Sequence, residues 1–376
     1  MKADRFDADS SLCAGARPRV AIDLFAGGGG LTQGLKRAGF SVCAAVEIEP
    51  HACATYSANH SETVLFQRDI RKISGVEMLT TSPTGIIDLI AACPPCQGFC
   101  TLTAKYQRED ARNELIFDFV RLVKEIKPAS IMMENVPGLA NGKGKAVFAE
   151  AMNELRTLGY ILNIDILEVA NYGVPQSRRR LVVLGGLNKS ISIPVQTHSK
   201  KPTHNQQPWV TVKDAIANIE TPQVLKKASF IGGEARYGWN IVRDLSEINK
   251  ARLRSIKAGQ SRTKIPMELR PPCHKKTEIG FTNVYGRMAW NLPSPTITGG
   301  CTTLSKGRFG HPTQLRTISV YEAALLQTFP PDYKFDTLLM DKVCNIIGNA
   351  LPPLFAEKMA KQCHNAIHEE EIRCSR

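Results

Sequence analysis

The sequence predicts an α/β protein: a doubly wound, mostly parallel sheet with a second, smaller, irregular domain. Three observations carry this. Short runs rich in Val, Ile and Leu alternate with segments of helical apolar spacing from Arg19 to Gly185, the pattern of strands joined by helical crossovers. From about Leu187 to His311 that alternation fades, and Pro, Gly, Thr and basic residues accumulate. Helical spacing then returns between Val320 and about His368.

The elements follow in order. Residues 1–17 are polar and without period, and are expected to form a loose tail. Val20 to Phe25 reads as a strand, Ala26 to Gly30 as a glycine loop, and the segment from Leu31 as a helix closed by Gly39. Val42 to Val46 is the next strand and ends on Glu47; a helix over His51 to Asn59 and a short strand over Thr63 to Phe66 lead to Asp69-Ile70. Another apolar run begins at Ile86 and stops at Pro94-Pro95, which cannot donate ladder hydrogen bonds, so Cys96 falls just past a strand end. Asn113 to Ile126 has helical spacing at Leu115, Ile116, Phe119, Leu122, Val123 and Ile126. A strand over Ala129 to Met133 ends in Glu134-Asn135. Helix Lys145 to Leu158, strand Ile161 to Val169, a loop over Asn171 to Arg180 and strand Leu181 to Gly185 complete the alternating unit. The C-terminal helices need an apolar partner and are expected to return to the first sheet.

A chain of 376 residues with 43% hydrophobic composition has ample material for a core in each of two or three domains. No apolar run approaches the roughly twenty residues needed to span a bilayer, and the N-terminus lacks a signal-peptide core. A cytoplasmic protein with its eleven cysteines reduced is therefore expected. The net charge of +13 is segregated: Leu181 to Arg316 holds 21 Lys and Arg against 7 Asp and Glu, which leaves the remainder close to neutral. A segregated basic excess is the footprint of a polyanion partner, with DNA or RNA the leading class.

Four groups of residues carry chemistry. Glycines at a helix N-terminus, followed twenty residues after Gly27 by the acidic Glu47, suit a nucleoside pocket whose ribose hydroxyls meet the carboxylate. Cys96 stands at the carboxyl end of a buried strand, the edge at which open α/β sheets bind ligands. The spacing Cys93-x-x-Cys96 also fits a redox pair or half a zinc site, but Cys273-His274 and Cys363-His364 are adjacent residues and supply no second ligand pair; no metal is expected. Glu134 stands at a strand end like Cys96, so one rim would hold a thiol and a carboxylate. In Gln176-Ser177-Arg178-Arg179-Arg180, alternate arginines leading into a strand share a face, so Arg178 and Arg180 are expected to aim inward together.

These motifs, in this order, resemble those of the cytosine-5 DNA methyltransferases of prokaryotic restriction-modification systems. The matching stretches are Asp23 to Gly30, Pro95-Cys96-Gln97-Gly98-Phe99, Glu134-Asn135-Val136, Gln176 to Arg180, Arg316 to Tyr333 with Glu322, and Gly348-Asn349-Ala350. Six motifs in sequence are far more specific than any one. The resemblance implies a Rossmann-like catalytic domain over 18–187 that binds S-adenosyl-L-methionine, a target-recognition domain over 188–312 where the charge excess lies, and C-terminal helices over 313–376 returning to the catalytic domain. It implies that Cys96 adds to carbon 6 of cytosine and that Glu134, protonated at some stage, bonds ring nitrogen 3 and the amino group. Arg180, assisted by Arg178, would hold the carbonyl oxygen, and carbon 5 would then take the methyl group.

The resemblance also places the cofactor over Phe25, Gly27 and Gly29, with Glu47 on its ribose, Asp69 and Ile70 at its adenine, and Leu115 and Asn349 closing the pocket. Gln97 and Thr298 would contact the substrate. The target base would be flipped out of double-stranded DNA, and the loop Gln97 to Arg112 would close over it. Departures from the pattern are Cys100, where a serine is usual, and Ile48, where a tryptophan often stacks on adenine. A monomer is expected, with room for a separately acting cognate restriction endonuclease. Two alternatives stand beside this reading: methylation of cytosine in RNA such as tRNA, and a DNA-binding relative without catalysis. The latter is disfavoured by the presence of the thiol, the acid and the cofactor glycines.

Overall fold

The computed structural model describes residues 17–95, 114–142, 144–225, 238–275 and 282–374, with side chains as far as 369. The expected N-terminal tail lies almost wholly outside the described residues. The alternating unit consists of β1 (Arg19–Leu24), α1 (Gly30–Arg37), β2 (Phe40–Glu47), α2 (Pro50–Asn59), β3 (Val64–Gln67), α3 (Gly75–Leu79), β4 (Leu89–Ala92), α4 (Leu115–Ile126), β5 (Ser130–Asn135), α5 (Gly138–Asn141), α6 (Lys145–Thr157), β6 (Tyr160–Glu168) and β7 (Arg179–Leu187). The strands form one seven-stranded sheet in the order β3-β2-β1-β4-β5-β7-β6. The order reverses beside β1, so β1 and β4 flank the switch point where such sheets open a crevice at their carboxyl ends.

The sheet is mostly parallel, as expected, and β7 is the reversed strand, antiparallel to both β5 and β6. Its reversal has a simple cause. Only residues 169–178 join β6 to β7, fewer than a parallel crossover requires. As a consequence, the start of β7, with Arg179 and Arg180, lies at the same rim as the ends of β4 and β5. The ladders also extend the expected strands, so that Glu134 and Asn135 lie within β5 and are paired with Val182 and Leu181.

Both faces of the sheet are covered, which is why β1, β4 and β5 are apolar without alternation. One face packs Val20, Ile22, Ile90 and Met133 against Phe119 and Val123 of α4 and Met152 and Leu155 of α6. The other packs Ala21, Leu89, Met132 and Val182 against Leu31 and Leu35 of α1 and a long terminal helix. Each aliphatic side chain buried in this way contributes about 1.5–3 kcal/mol.

Among the described residues, the region expected to be irregular holds only short elements, including β8 (His198–Ser199), β9 (Gln207–Pro208), α7 (Val212–Ile216), β10 (Gln223–Leu225), β11 (Ile241–Arg243) and α8 (Glu247–Arg254). After it come α9 (Val320–Leu326), α10 (Met340–Asn349) and α11 (Pro353–Cys374). These helices divide differently from the expectation. Phe355, Met359, Cys363 and Ile367 of α11 lie against the sheet, whereas α9 and α10 build a third core with Val212, Ile216, Trp239, Ile241, Met288, Ile297 and Phe309. The basic region does supply apolar partners; they are scattered singly, so no period discloses them. Among the described residues, no helix is long and apolar enough to cross a membrane.

Candidate active site

The glycine loop leaves β1 at the switch point. Phe25 at φ 62°, Gly27 at φ 55° and Gly29 at φ 90° are left-handed, a region costly for Phe25 and free for glycine. A side chain at Gly29 would run into the His60 ring and the Tyr333 hydroxyl, while one at Gly27 would meet nothing within 4 Å. The loop is thus packed tightly from behind and open above Gly27. Glu47, at the end of the neighbouring β2, is held in place by backbone donors: one oxygen accepts from Gly27 N at 2.8 Å, the other from Ile48 N and Glu49 N at 2.8 Å each. Beside it Ile48 is 62% exposed, an apolar surface with no cover. Asp69 caps the turn at Ile70 and is forked by the Arg71 guanidinium, its oxygens 2.6–3.1 Å from Nε and Nη2, which holds its carboxyl below the usual range; Ile70 itself is buried. Leu115 is partly buried at the start of α4, and Asn349 is exposed at the end of α10.

Beneath the loop lies a buried polar chain. The Thr32 hydroxyl donates to Asp23 at 2.6 Å and lies 2.9 Å from the Tyr56 hydroxyl. His60 meets Tyr333 at 3.0 Å, and the Tyr333 hydroxyl donates to the Gly28 carbonyl at 2.5 Å. Burial raises Asp23 to about 7 against the opposing Thr32 hydrogen bond. Burial, helped by the nearby Lys36 ammonium, lowers His60 to about 4.

Two strands from β1, at the same rim, Glu134 Oε1 forms an ion pair with Arg180 Nε at 2.6 Å, with both side chains largely buried. Its neighbour Asn135 donates to the Pro94 carbonyl at 3.2 Å and accepts from Val136 N at 2.8 Å. Asn135 thereby clamps the end of β5 to the segment that enters Cys96. The Cys93 thiol, one residue past β4, is pushed well above the usual thiol range by burial, then by the Glu134 and Asp23 carboxylates. Cys96, Gln97 and the loop onward to Arg112 lie outside the described residues.

A model of the C-5 cytosine-specific DNA methylases matches residues 20–365. The chain belongs to this family. The methylase is 35% identical over 361 residues to the Type II methylase M.HgiDII of Herpetosiphon aurantiacus, covering 94% of this chain and 98% of that one. It is 34% identical over 347 residues to the Type II methyltransferase M1.HphI of Haemophilus parahaemolyticus, covering 90% and 85%. A prophage-encoded E. coli chain described as a DNA modification methyltransferase superposes with a TM-score of 0.70 at 26% identity, covering 93% and 99%. The Dnmt2 methyltransferase of S. pombe, at 18% identity and a TM-score of 0.58, shares the fold. The protein is accordingly a DNA cytosine-5 methyltransferase of the restriction-modification type.

In this methylase the two arginines of the Gln176–Arg180 motif do different things. Arg178 is 4% exposed, and its Nη1 donates to the carbonyls of Ile297 and Gly348 at 3.1 Å each. Gln176 accepts from Ile297 N at 2.9 Å and donates to Gln327 at 2.6 Å, and Gln327 donates to the Ile347 carbonyl at 2.5 Å. The motif therefore joins three segments: the approach to β7, the segment before Thr298, and the end of α10. Thr298 itself is exposed. Gly348 lets α10 touch the Thr298–Gly299 backbone, because a Cβ there would strike the Thr298 carbonyl carbon and Gly299 N. Asp23, Cys93 and Gln327 were not among the expected site residues. Asp23 opens the first matching stretch and Cys93 stands two residues before the second, but their neighbours across the sheet cannot be read from spacing; Gln327 lies inside the stretch Arg316 to Tyr333, in an apolar helical run, and is visible only as an isolated polar residue.

Proposed function

We propose that this methyltransferase moves a methyl group from S-adenosyl-L-methionine to carbon 5 of cytosine in a short specific sequence of double-stranded DNA. The carrying observation is the buried Glu134–Arg180 pair at the carboxyl rim, clamped through Asn135 to the segment that leads into Cys96. The residues present suit the cofactor: open space above Gly27, the held Glu47 carboxylate and the exposed Ile48 surface form a cradle of nucleoside chemistry. When bound, S-adenosylmethionine supplies the methyl group as an electrophilic sulfonium. Phe25, Gly27 and Gly29 would lie beneath it, Glu47 on its ribose, and Ile48, Asp69 and Ile70 about its adenine, with Leu115 and Asn349 at its margin.

Cytosine's carbon 5 is a weak nucleophile, so the chain must first raise its electron density. In this reading Cys96 attacks carbon 6 as thiolate, opening the 5,6 double bond, and leaves again when carbon 5, once methylated, gives up its proton and the double bond re-forms. Glu134 bonds ring nitrogen 3 and the amino group and offsets the charge that develops there. Arg180, held beside Glu134 by their ion pair, presents guanidinium donors to the carbonyl oxygen. Arg178 acts at one remove by fixing the Thr298 segment against α10. The base reaches this rim by flipping out of the duplex at a cost of a few kcal/mol, with Gln97 and Thr298 contacting it or its backbone. Residues 188–312, where the positive charge concentrates, read the sequence.

Trapping on duplex DNA containing 5-fluorocytosine tests the covalent step, because loss of the carbon 5 substituent is then blocked. The expected result is a denaturation-resistant adduct that forms with S-adenosylmethionine and disappears in Cys96→Ser. An adduct that persists in that variant would refute the assigned nucleophile.

A further inference from the structure

The geometry points to His60 and Tyr333 as positioning residues for the methyl donor: a directional chain of hydrogen bonds from Lys36 through both side chains pins the carbonyls of Gly28 and Gly29 and so holds the glycine loop in the shape the cofactor meets. This rests on the cofactor reading given above. Gly27 to Gly30 are four consecutive glycines, the residues with the most conformational freedom to lose. Their own sequence does not hold them in one shape, so the holders must come from other elements. On one side β2 supplies them: Ala26 N donates to the Val46 carbonyl at 2.9 Å and Gly27 N to Glu47 at 2.8 Å. From behind, Tyr333 Oη donates to the Gly28 carbonyl at 2.5 Å, and His60 Nε2 lies 3.2 Å from the Gly29 carbonyl.

The protons of this chain can be arranged in one way only. Lys36 Nζ lies 2.8 Å from His60 Nδ1 and pairs with Glu62. An ammonium donates and cannot accept, so Nδ1 accepts and the ring carries its proton on Nε2. That N–H faces the Gly29 carbonyl and, at 3.0 Å, Tyr333 Oη, which leaves the Tyr333 proton for Gly28. Every donor is aimed at the loop. The charged and titratable groups facing the ring are Lys36 on α1, Tyr56 on α2, Glu62 just past α2, and Tyr333 between α9 and α10. Burial and the Lys36 ammonium lower His60 to about 4, so the ring is neutral at the pH of catalysis. Tyr333 is anchored in turn: the Asn59 side chain donates to the Lys334 carbonyl at 2.7 Å and accepts from Lys334 N at 3.0 Å. A loop ordered in this way before the cofactor arrives spares binding the cost of ordering it.

Titration calorimetry with S-adenosylhomocysteine, methyl-transfer kinetics and nitrogen NMR of the histidine rings test this together. Tyr333→Phe is expected to weaken S-adenosylhomocysteine about tenfold, the scale of one lost hydrogen bond. KM for S-adenosylmethionine should rise alike, with KM for DNA unchanged and most of kcat retained at saturating cofactor. The calorimetric stoichiometry counts the folded fraction, so partial unfolding does not pass for weaker binding. In the wild type the His60 ring is expected to be neutral with its proton on Nε2. Lys36→Met is expected to release it to a mixture of tautomers and to weaken binding, and Lys36→Arg, which again donates and cannot accept, to recover most of both. Affinity in Tyr333→Phe equal to that of the wild type, a loss confined to kcat, equal losses in Lys36→Met and Lys36→Arg, or an imidazolium or an Nδ1 tautomer in the wild type would overturn the proposal. A wild type that does not bind S-adenosylhomocysteine would refute the cofactor reading beneath it, an outcome distinct from a wild type that binds while Tyr333→Phe binds equally.

Discussion

Asp23 is fully buried beneath the glycine loop, with one oxygen bonded by Thr32 and Oδ1 without a hydrogen-bond partner. Folding lifts its carboxyl from 3.8 to about 7, so between those values the folded chain keeps a proton that the unfolded chain has lost. Its stabilising contribution is complete below about pH 4 and disappears as pH rises through 7. His60 has the opposite slope. Lowered from 6.5 to about 4, it costs stability as pH falls through that window. Asp23→Asn removes the first slope alone. Relative to wild type, the variant should gain stability between pH 4 and pH 8 by up to roughly 4 kcal/mol, read by urea unfolding at each pH. A constant difference across the range would show that Asp23 does not hold its proton. Asp23 was legible in the sequence as part of the strand-to-loop motif, but its protonation was not, because burial on both faces of a central strand depends on helices far away in the chain.

At the scale of elements, the end of α10 and the Thr298 segment depend on each other. Gly348 is buried against the Thr298–Gly299 backbone, and Arg178 bridges the two sides. Backbone does not yield as a flexible side chain would, so Gly348→Ala should destabilise the protein by about 1–3 kcal/mol, the usual scale of overpacking. It should also reduce methyl transfer by more than the unfolded fraction accounts for. Denaturant unfolding alongside activity per folded molecule measures both, and a variant as stable and active as wild type would remove the proposed coupling. The strand and helix alternation that builds the sheet was legible because each crossover has its own apolar period. The reversal of β7 required the length of its connection to be weighed. Alternate spacing suggested that Arg178 and Arg180 aim inward together, yet Arg178 precedes the strand and turns to carbonyls of two other segments. The partners of α9 and α10 were hidden for a different reason: isolated residues such as Trp239 and Met288 form a core only once the chain has folded.

At the scale of the whole molecule, the basic excess and the reaction rim are joined through shared structure. The region 188–312 contributes Val212, Ile216, Trp239 and Ile297 to the core that contains α9 and α10, and α10 ends at Asn349 in the glycine motif expected at the cofactor. Tyr333, between those helices, bonds the carbonyl of Gly28 in the glycine loop. The region proposed to read DNA is thus packed into the same framework as the loop expected to hold the methyl donor. The central claim is that this framework methylates cytosine in a defined sequence through Cys96. Bisulfite sequencing of DNA from cells expressing the wild type, beside cells expressing Cys96→Ala, tests it most directly. Methylation confined to one short motif with the wild type and absent with the variant is the predicted result; no methylation in either, with both proteins folded and expressed, or equal methylation in both, would contradict it.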